Sequence, residues 1–247
     1  MVVIDSHAHL FIKGGLASFK PSSLQMFIQT MDRLKIDKTV IFTIEGLIRD
    51  FTRCNDEIAE AVSKYPDRLI GFATVNPWLG DEAVQELERA VGKLGLKGLK
   101  LHPYMQGFPA ADSMLFPIME KATKLQIPVL FHSGTPPWSE PLQVAALAER
   151  FPDVPVILGH FGQNMYGDTI RALKMVKNLY GETSANHFVY AIEKAIREVG
   201  AHRILYGSDM PWLEPEPQLI KIKILKITDE ERELVLGNNM ARILRIA

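Results

Sequence analysis

Short apolar runs alternate along the chain with longer segments that have a helical period. Runs rich in β-branched residues predict eight strands, at residues 2–4, 39–43, 69–74, 98–101, 128–131, 155–158, 180–183 and 203–206. These runs are apolar on both faces, as is typical of parallel strands that are covered on both sides. We therefore expect a parallel sheet.

Between the predicted strands, apolar residues recur every three or four positions, which predicts helices with one buried face. The clearest stripes lie at residues 24–34, 58–62, 84–91, 115–125 and 188–199. Thr228 with Glu231 resembles a capping box, and Asn238 or Asn239 is the predicted start of a last helix that ends near Leu244. Strict alternation favours the α/β class, and 247 residues suit a single (β/α)8 TIM-barrel domain over residues 1–247.

Composition narrows the class of protein. Hydrophobic residues make up 47% and charged residues 23%, which is typical of a globular chain, and the net charge of −1 gives no basic surface for nucleic acid. We find neither a basic leader nor an apolar run long enough to span a bilayer, so we expect a cytoplasmic protein with no membrane partner. Cys54 is the only cysteine, which excludes intrachain disulfides. The expected partner is a small-molecule substrate, and a homodimer is left open.

Histidines mark the ends of the predicted strands. Five of the seven histidines lie where a predicted strand runs into a loop, and an acidic residue takes the same position after the last strand. These residues are His7, His9, His102, His132, His160 and Asp209. Barrel active sites form at the carboxyl ends of strands, and His7 and His9, two apart, leave the same face of a strand. Imidazoles and a carboxylate together predict a site for a divalent metal ion.

Several motifs extend this pattern along the chain. They are IDSHAH at residues 4–9, YPDRL at 65–69, GLKLHP at 98–103, GHFG at 159–162, GSDMP at 207–211 and GNNMAR at 237–242. With these motifs the chain resembles the amidohydrolase superfamily, and within it the amidohydrolase-2 branch that includes the aminocarboxymuconate-semialdehyde decarboxylase-like enzymes.

The resemblance implies which residues hold the metal. His7, His9, His132 and Asp209 would bind one divalent ion, with zinc expected and manganese as the alternative. His160 would lie beside the metal-bound water or the substrate, as an acid, base or polariser.

Lys100 and His102 also face the barrel interior, because they lie two apart at the fourth predicted strand. We expect either to bind a substrate carboxylate or a developing oxyanion, the alternative being an ion pair with Asp5. In other branches of the superfamily a lysine at this position is carboxylated and bridges two metals, an alternative that stays open. Trp138 and Trp212 follow predicted strands and are expected to wall the substrate pocket, the alternative being that they cover the barrel mouth without touching a ligand.

The reaction implied by these residues is hydrolysis of a small ester, lactone or amide. A metal-activated water would attack, Asp209 would take its proton, and His160 would stabilise the developing oxyanion. The alternative is non-oxidative decarboxylation of a small aromatic or muconate-like acid, supported by the same ligands. A third alternative is a small-molecule binder without catalysis.

Overall fold

The chain forms a parallel β-barrel surrounded by helices. A computed structural model describes residues 2–11 and 23–246. The strands are β1 (Ile4–His9), β2 (Lys38–Phe42), β3 (Leu69–Gly71), β4 (Ala73–Thr74), β5 (Leu99–Leu101), β6 (Val129–His132), β7 (Val156–Gly159), β8 (Leu179–Glu182) and β9 (Ile204–Leu205). Every pairing between neighbouring strands is parallel.

The barrel closes through main-chain hydrogen bonds between β1 and the segment that directly follows β9. The Ser6 N–H donates to the Tyr206 carbonyl at 3.0 Å, and the His9 N–H donates to the Met210 carbonyl at 2.7 Å. β3 and β4 are two parts of one predicted strand, separated at Phe72, whose N–H still bonds the β2 carbonyl of Ile41 at 2.9 Å. The described strands therefore make an eight-stranded barrel, as predicted.

Two strand boundaries differ from the prediction. The first strand was expected to end at Ile4, but β1 continues through His9 and contains a bulge between Asp5 and Ala8. Its polar residues resemble a loop in sequence, yet they stay in the strand because the neighbouring strands satisfy their backbone groups. The last strand is shorter than predicted and covers Ile204–Leu205 only.

Helices cover the outside of the barrel. They are α1 (Leu24–Leu34), α2 (Glu45–Ile48), α3 (Phe51–Lys64), α4 (Asp81–Gly92), α5 (Pro103–Gln106), α6 (Phe116–Leu125), α7 (Pro141–Arg150), α8 (Tyr166–Met175), α9 (Val189–Val199), α10 (Pro215–Lys223), α11 (Asp229–Glu233) and α12 (Asn239–Leu244). The five predicted stripes fall on α1, α3, α4, α6 and α9, and the predicted Thr228–Glu231 capping box opens α11. The structure adds α2, α5, α7, α8 and α10, which the sequence analysis did not predict.

The core has two layers that follow the alternation of side chains along each strand. Ile41 of β2 belongs to the larger cluster, which includes helix residues such as Phe27 of α1. Its neighbour Val40 belongs to a second cluster, which also contains Ile157 of β7 and Met240 of α12. The inward layer is therefore apolar where α12 packs against it, and the polar inward residues are left to the opposite, carboxyl end of the strands.

No helix in the described part of the chain combines the length and the apolar character needed to cross a membrane.

Candidate active site

The predicted histidines and Asp209 converge at the carboxyl ends of the strands. His7 and His9 lie inside β1, His132 is the last residue of β6, and His160 directly follows β7. Asp209 follows β9, and its N–H donates to the β1 carbonyl of His7 at 2.8 Å. These five side chains therefore reach the barrel mouth from four strands, β1, β6, β7 and β9, as expected of a barrel active site.

Among the described residues, His7, His160 and Asp209 form one group of potential metal ligands. One ligand atom from each lies within 4.8 Å of the others, and all three residues are buried. His7 Nε2 lies 3.4 Å from Asp209 Oδ1, and His9 Nε2 lies 3.0 Å from the same oxygen. Two imidazole nitrogens and a carboxylate oxygen thus point to one place, which fits a divalent metal ion.

His132 stands at the edge of this group. Its Nε2 lies 3.0 Å from the Thr135 hydroxyl, and its ring is 4.6 Å from the His160 ring, centroid to centroid. Its other face stacks on His102, with the centroids 3.8 Å apart and the planes 11° from parallel. Among the described residues, His160 and not His132 therefore shares this group with His7 and Asp209, whereas the resemblance implies His132 as the ligand.

Burial keeps the imidazoles neutral. It lowers the pKa of His9 and holds the pKa of His7 and of His160 well below the usual range. Burial likewise lowers the pKa of His132 to about 3. A metal ligand must present an unprotonated nitrogen, so burial prepares these side chains for metal binding near neutral pH.

Lys100 is fully buried beside this cluster. Its Nζ lies 3.3 Å from His7 Nε2 and 4.9 Å from the centre of the Phe42 ring. Burial lowers the pKa of Lys100 to about 8, although the charges of Asp209 and Glu182 oppose that shift. The alternative ion pair with Asp5 is not formed.

Asp5 has other partners. Its carboxylate accepts hydrogen bonds from the Ser208 hydroxyl, the Ser208 N–H and the His7 N–H. It therefore joins the start of β1 to the segment that carries Asp209.

A cavity of about 240 Å³ opens onto this cluster. It is lined by His9, Ile44, Lys100, His102, Met105, His132, His160, Asp209 and Trp212. Of the predicted substrate-binding residues, Lys100, His102 and Trp212 lie in this lining. Trp138 is half-buried on the loop after β6 and is not one of the lining residues.

Two site residues hold unusual backbone conformations. His160 has φ 62° and Asp209 has φ 61°, in the left-handed region that non-glycine residues rarely adopt. Such conformations cost free energy and persist where the surrounding structure fixes them, often at functional sites. The strain at these two positions points to the same mouth of the barrel as the side chains do.

Sequence reasoning missed two residues of the site, Glu182 and Ser184. Glu182 Oε2 lies 2.7 Å from His7 Nδ1, and the Ser184 hydroxyl lies 2.9 Å from His160 Nδ1. A carboxylate at the end of a buried strand was the available signal, because a buried charge requires partners.

Comparison with known families identifies the chain. The family described as Amidohydrolase, Amidohydro_2, matches residues 4–246. A gamma-resorcylate decarboxylase of Polaromonas sp. is 24% identical over 246 residues, covering 78% of this chain and 76% of that protein. A 2-amino-3-carboxymuconate-6-semialdehyde decarboxylase of Dictyostelium discoideum is 31% identical over 121 residues, covering 45% of this chain and 33% of that protein.

A solved structure shows the same fold. The dihydroxybenzoic acid decarboxylase of Polaromonas sp., described with bound manganese and 2-nitroresorcinol, superposes with a TM-score of 0.78 at 20% identity. The match covers 99% of this chain and 97% of that one. The expected TIM barrel is thereby confirmed.

The comparisons correct the expected reaction. The curated relatives described above are decarboxylases, and four further matches are also named as decarboxylases. The expectation of a hydrolase for an ester, lactone or amide is therefore wrong. A single divalent-metal site is supported, but zinc specifically is not, since the related structure is described with manganese. The chain belongs to the Amidohydro_2 family of the amidohydrolases.

Proposed function

We propose that this chain is a metal-dependent, non-oxidative decarboxylase of a small carboxylic acid, aromatic or muconate-like. The names of its relatives support the reaction class. The size of the cavity, about 240 Å³, limits the substrate to a small molecule.

The observation that carries this proposal is the position of Lys100. Among the described residues it is the one lysine or arginine that lines the cavity, and it is fully buried among neutral imidazoles. A buried ammonium is costly unless it meets an anion. A substrate carboxylate entering the cavity would supply that anion, whereas a neutral ester or amide would not.

The other wall of the cavity suits a flat apolar group. Ile44, Met105 and Trp212 lie on this side, and the Trp212 ring stands edge-on to the His9 ring with centroids 6.2 Å apart. A planar ring or conjugated chain packed there would hold its carboxylate towards Lys100. Ring contacts of this kind favour unsaturated substrates.

The residues fit a divalent metal ion. We assign His7, His9, His132 and Asp209 as its ligands, with manganese or another divalent ion in place of the expected zinc. When bound, the ion would supply a positive charge that holds and polarises the substrate's carboxylate or an adjacent hydroxyl group.

Decarboxylation requires one proton transfer that the chain's own residues must perform. The bond between the carboxylate and its carbon breaks, carbon dioxide leaves, and the electron pair stays on that carbon. A proton must then reach the carbon. His160 is placed to deliver it, since it lines the cavity and its ligand atom lies within 4.8 Å of those of His7 and Asp209. His160 is neutral in the free protein, so it first takes this proton from solvent when the anionic substrate binds, and it is neutral again once the carbon is protonated.

A substrate panel tests this function. The manganese and zinc forms are assayed with hydroxybenzoates, muconate-like acids, lactones and amides, and both carbon dioxide release and hydrolysis are followed. We expect carbon dioxide from at least one acid and no hydrolysis of the neutral substrates. Hydrolysis without carbon dioxide would reject the proposal.

Two histidine variants test the ligand assignment. His132→Ala is expected to lose most of the bound metal, whereas His160→Ala is expected to keep most of it and lose most of the turnover. Metal analysis of both variants measures the difference. If His160→Ala loses the metal and His132→Ala keeps it, the two roles must be exchanged.

A further inference from the structure

The Glu182 carboxylate lies between the two histidines that matter most for the proposed reaction. Glu182 Oε2 lies 2.7 Å from His7 Nδ1, and it accepts hydrogen bonds from the His160 N–H at 3.1 Å and from the Ser184 hydroxyl at 2.9 Å. The other carboxylate oxygen, Oε1, accepts from the Ser184 N–H. A Cβ added to Gly207 would lie 2.2 Å from Oε1, so the chain leaves room for this carboxylate. The arrangement is a built site for one buried carboxylate.

The Ser184 hydroxyl determines which nitrogen of His160 carries hydrogen. A hydroxyl has one hydrogen, and here that hydrogen is donated to the Glu182 carboxylate, which can only accept. Towards His160 Nδ1, 2.9 Å away, the hydroxyl must therefore act as acceptor. His160 then carries its hydrogen on Nδ1, and Nε2 is left with a free lone pair.

The same carboxylate determines the form of His7. Because Glu182 Oε2 accepts, His7 Nδ1 must donate, and the His7 Nε2 lone pair accepts from Lys100 Nζ at 3.3 Å. This is the form that a metal ligand needs, since carboxylate partners of ligating histidines commonly fix ring orientation in this way.

The loop that carries Ser184 is tied to the helix outside it. Lys221 of α10 is buried, and its Nζ donates to the main-chain carbonyls of Thr183 and Asn186 and to the side chain of Gln218. The two carbonyls flank Ser184 in sequence. The hydroxyl is thus held in place from both sides of its loop.

We propose that Glu182 and Ser184 are positioning residues that hold His7 and His160 in their Nδ1–H forms, so that each ring keeps its lone pair on Nε2. The roles of the two histidines rest on the function proposed above. The ring forms themselves follow from the hydrogen bonds alone, so they can be tested without metal or substrate.

Nitrogen NMR of the metal-free chain, labelled at histidine and recorded near pH 8, tests the proposal directly. Resonances are assigned with the His7→Gln and His160→Gln variants. In the unaltered chain both rings are expected to show hydrogen on Nδ1. Ser184→Ala is expected to shift His160 towards a mixture of the two forms and leave His7 unchanged, while the isosteric Glu182→Gln is expected to alter both.

Thr169→Val is the matched control. It removes another buried hydroxyl close to the site, which donates to the Phe161 carbonyl at 2.9 Å and makes no contact with either imidazole. Both rings should keep their forms in this variant. An unchanged His160 ring in Ser184→Ala, or an unchanged His7 ring in Glu182→Gln, would overturn the proposal.

Metal binding and turnover give independent readouts. Glu182→Gln is expected to weaken metal affinity about 10- to 100-fold, the usual effect of removing a partner of a ligating histidine. Ser184→Ala should keep the metal and lower kcat more than it changes KM. If the NMR result holds while no acid is decarboxylated, the proposed reaction fails and the positioning role stands.

Discussion

Two lysines in the described chain are buried, and they have opposite surroundings. Lys221 donates to three oxygen acceptors, two from the loop after β8 and one from its own helix. Lys100 reaches His7 Nε2 at 3.3 Å and otherwise faces the Phe42 ring and the cavity. Burial lowers the pKa of both amines.

This difference separates a structural lysine from a lysine reserved for a ligand. A buried ammonium with all its hydrogens donated stabilises the loops that supply the acceptors. A buried ammonium whose hydrogens are directed into a cavity lowers the free energy of unfolding until a ligand binds. A loss of stability of this kind is typical of functional sites. We therefore expect the two lysines to respond oppositely when each is replaced by Met.

The largest expected effect is on turnover. Lys100→Met should lower kcat/KM for the acid substrate by about 100- to 1,000-fold, because a preorganised charge facing the reacting group is lost. The unfolding temperature should not fall. Steady-state kinetics of the metal-loaded enzyme and a thermal melt measure the two quantities. Turnover within a few-fold of the original would show that Lys100 does not meet the substrate.

The second effect concerns pH. The pKa of Lys100 is lowered to about 8, from an ordinary value of 10.5. Between these values the unfolded chain binds more protons than the folded one, so the contribution of Lys100 to stability rises with pH. Below pH 8 the full cost of the buried charge is present.

Lys100→Met removes this contribution. Urea unfolding of the metal-free protein should show the variant more stable than the original at pH 7. That advantage should shrink by about 3 kcal/mol on approaching pH 10.5. A constant difference between the two proteins across this range would contradict the buried, ligand-free state of the amine.

The third effect is on stability alone. Lys221→Met leaves three acceptors without their donor, which should lower the free energy of unfolding by about 2 kcal/mol. Turnover should fall much less than in Lys100→Met, since Lys221 acts only through the Ser184 loop. Urea denaturation and kinetics of the folded variant test this pair of expectations. A larger loss of turnover than in Lys100→Met would reverse the comparison.

The last prediction concerns the chemical state of the Lys100 amine and the number of bound metal ions. The Lys100 amine should be unmodified, and the chain should hold no more than one tightly bound metal ion. Native mass spectrometry and metal analysis test this. A mass increase of one carbon dioxide on Lys100, together with two metal ions per chain, would establish the two-metal alternative instead.

The barrel was predictable because its signals are local. Strand runs such as 128–131 and stripes such as 24–34 carry the periods of two and 3.6 residues that define their elements. Strand β1 was cut short because Asp5, Ser6 and His7 are polar. Only the assembled barrel supplies partners for the Asp5 and His7 side chains and for the Ser6 N–H. Helix α10 was missed because Ile and Lys alternate at residues 220–224, a period of two that is typical of a strand and not of a helix.

The site was predictable in its residues and not in its contacts. The position of His7, His9, His160 and Asp209 after or within strands sufficed to place them at one end of the barrel. Glu182 was missed because its partners come from β1 and from the segment after β7, far away in sequence. Such pairing depends on how the strands are arranged around the barrel, which no local pattern contains.

One measurement tests the account most directly. An acid identified by the panel is turned over in deuterium oxide by the manganese-loaded enzyme, with Lys100→Met and Lys221→Met in parallel. We predict one carbon dioxide released per substrate and one deuterium on the carbon that lost the carboxylate. The rate should fall mainly in Lys100→Met. Carbon dioxide release that does not depend on Lys100, or a product formed by hydrolysis, would contradict the account.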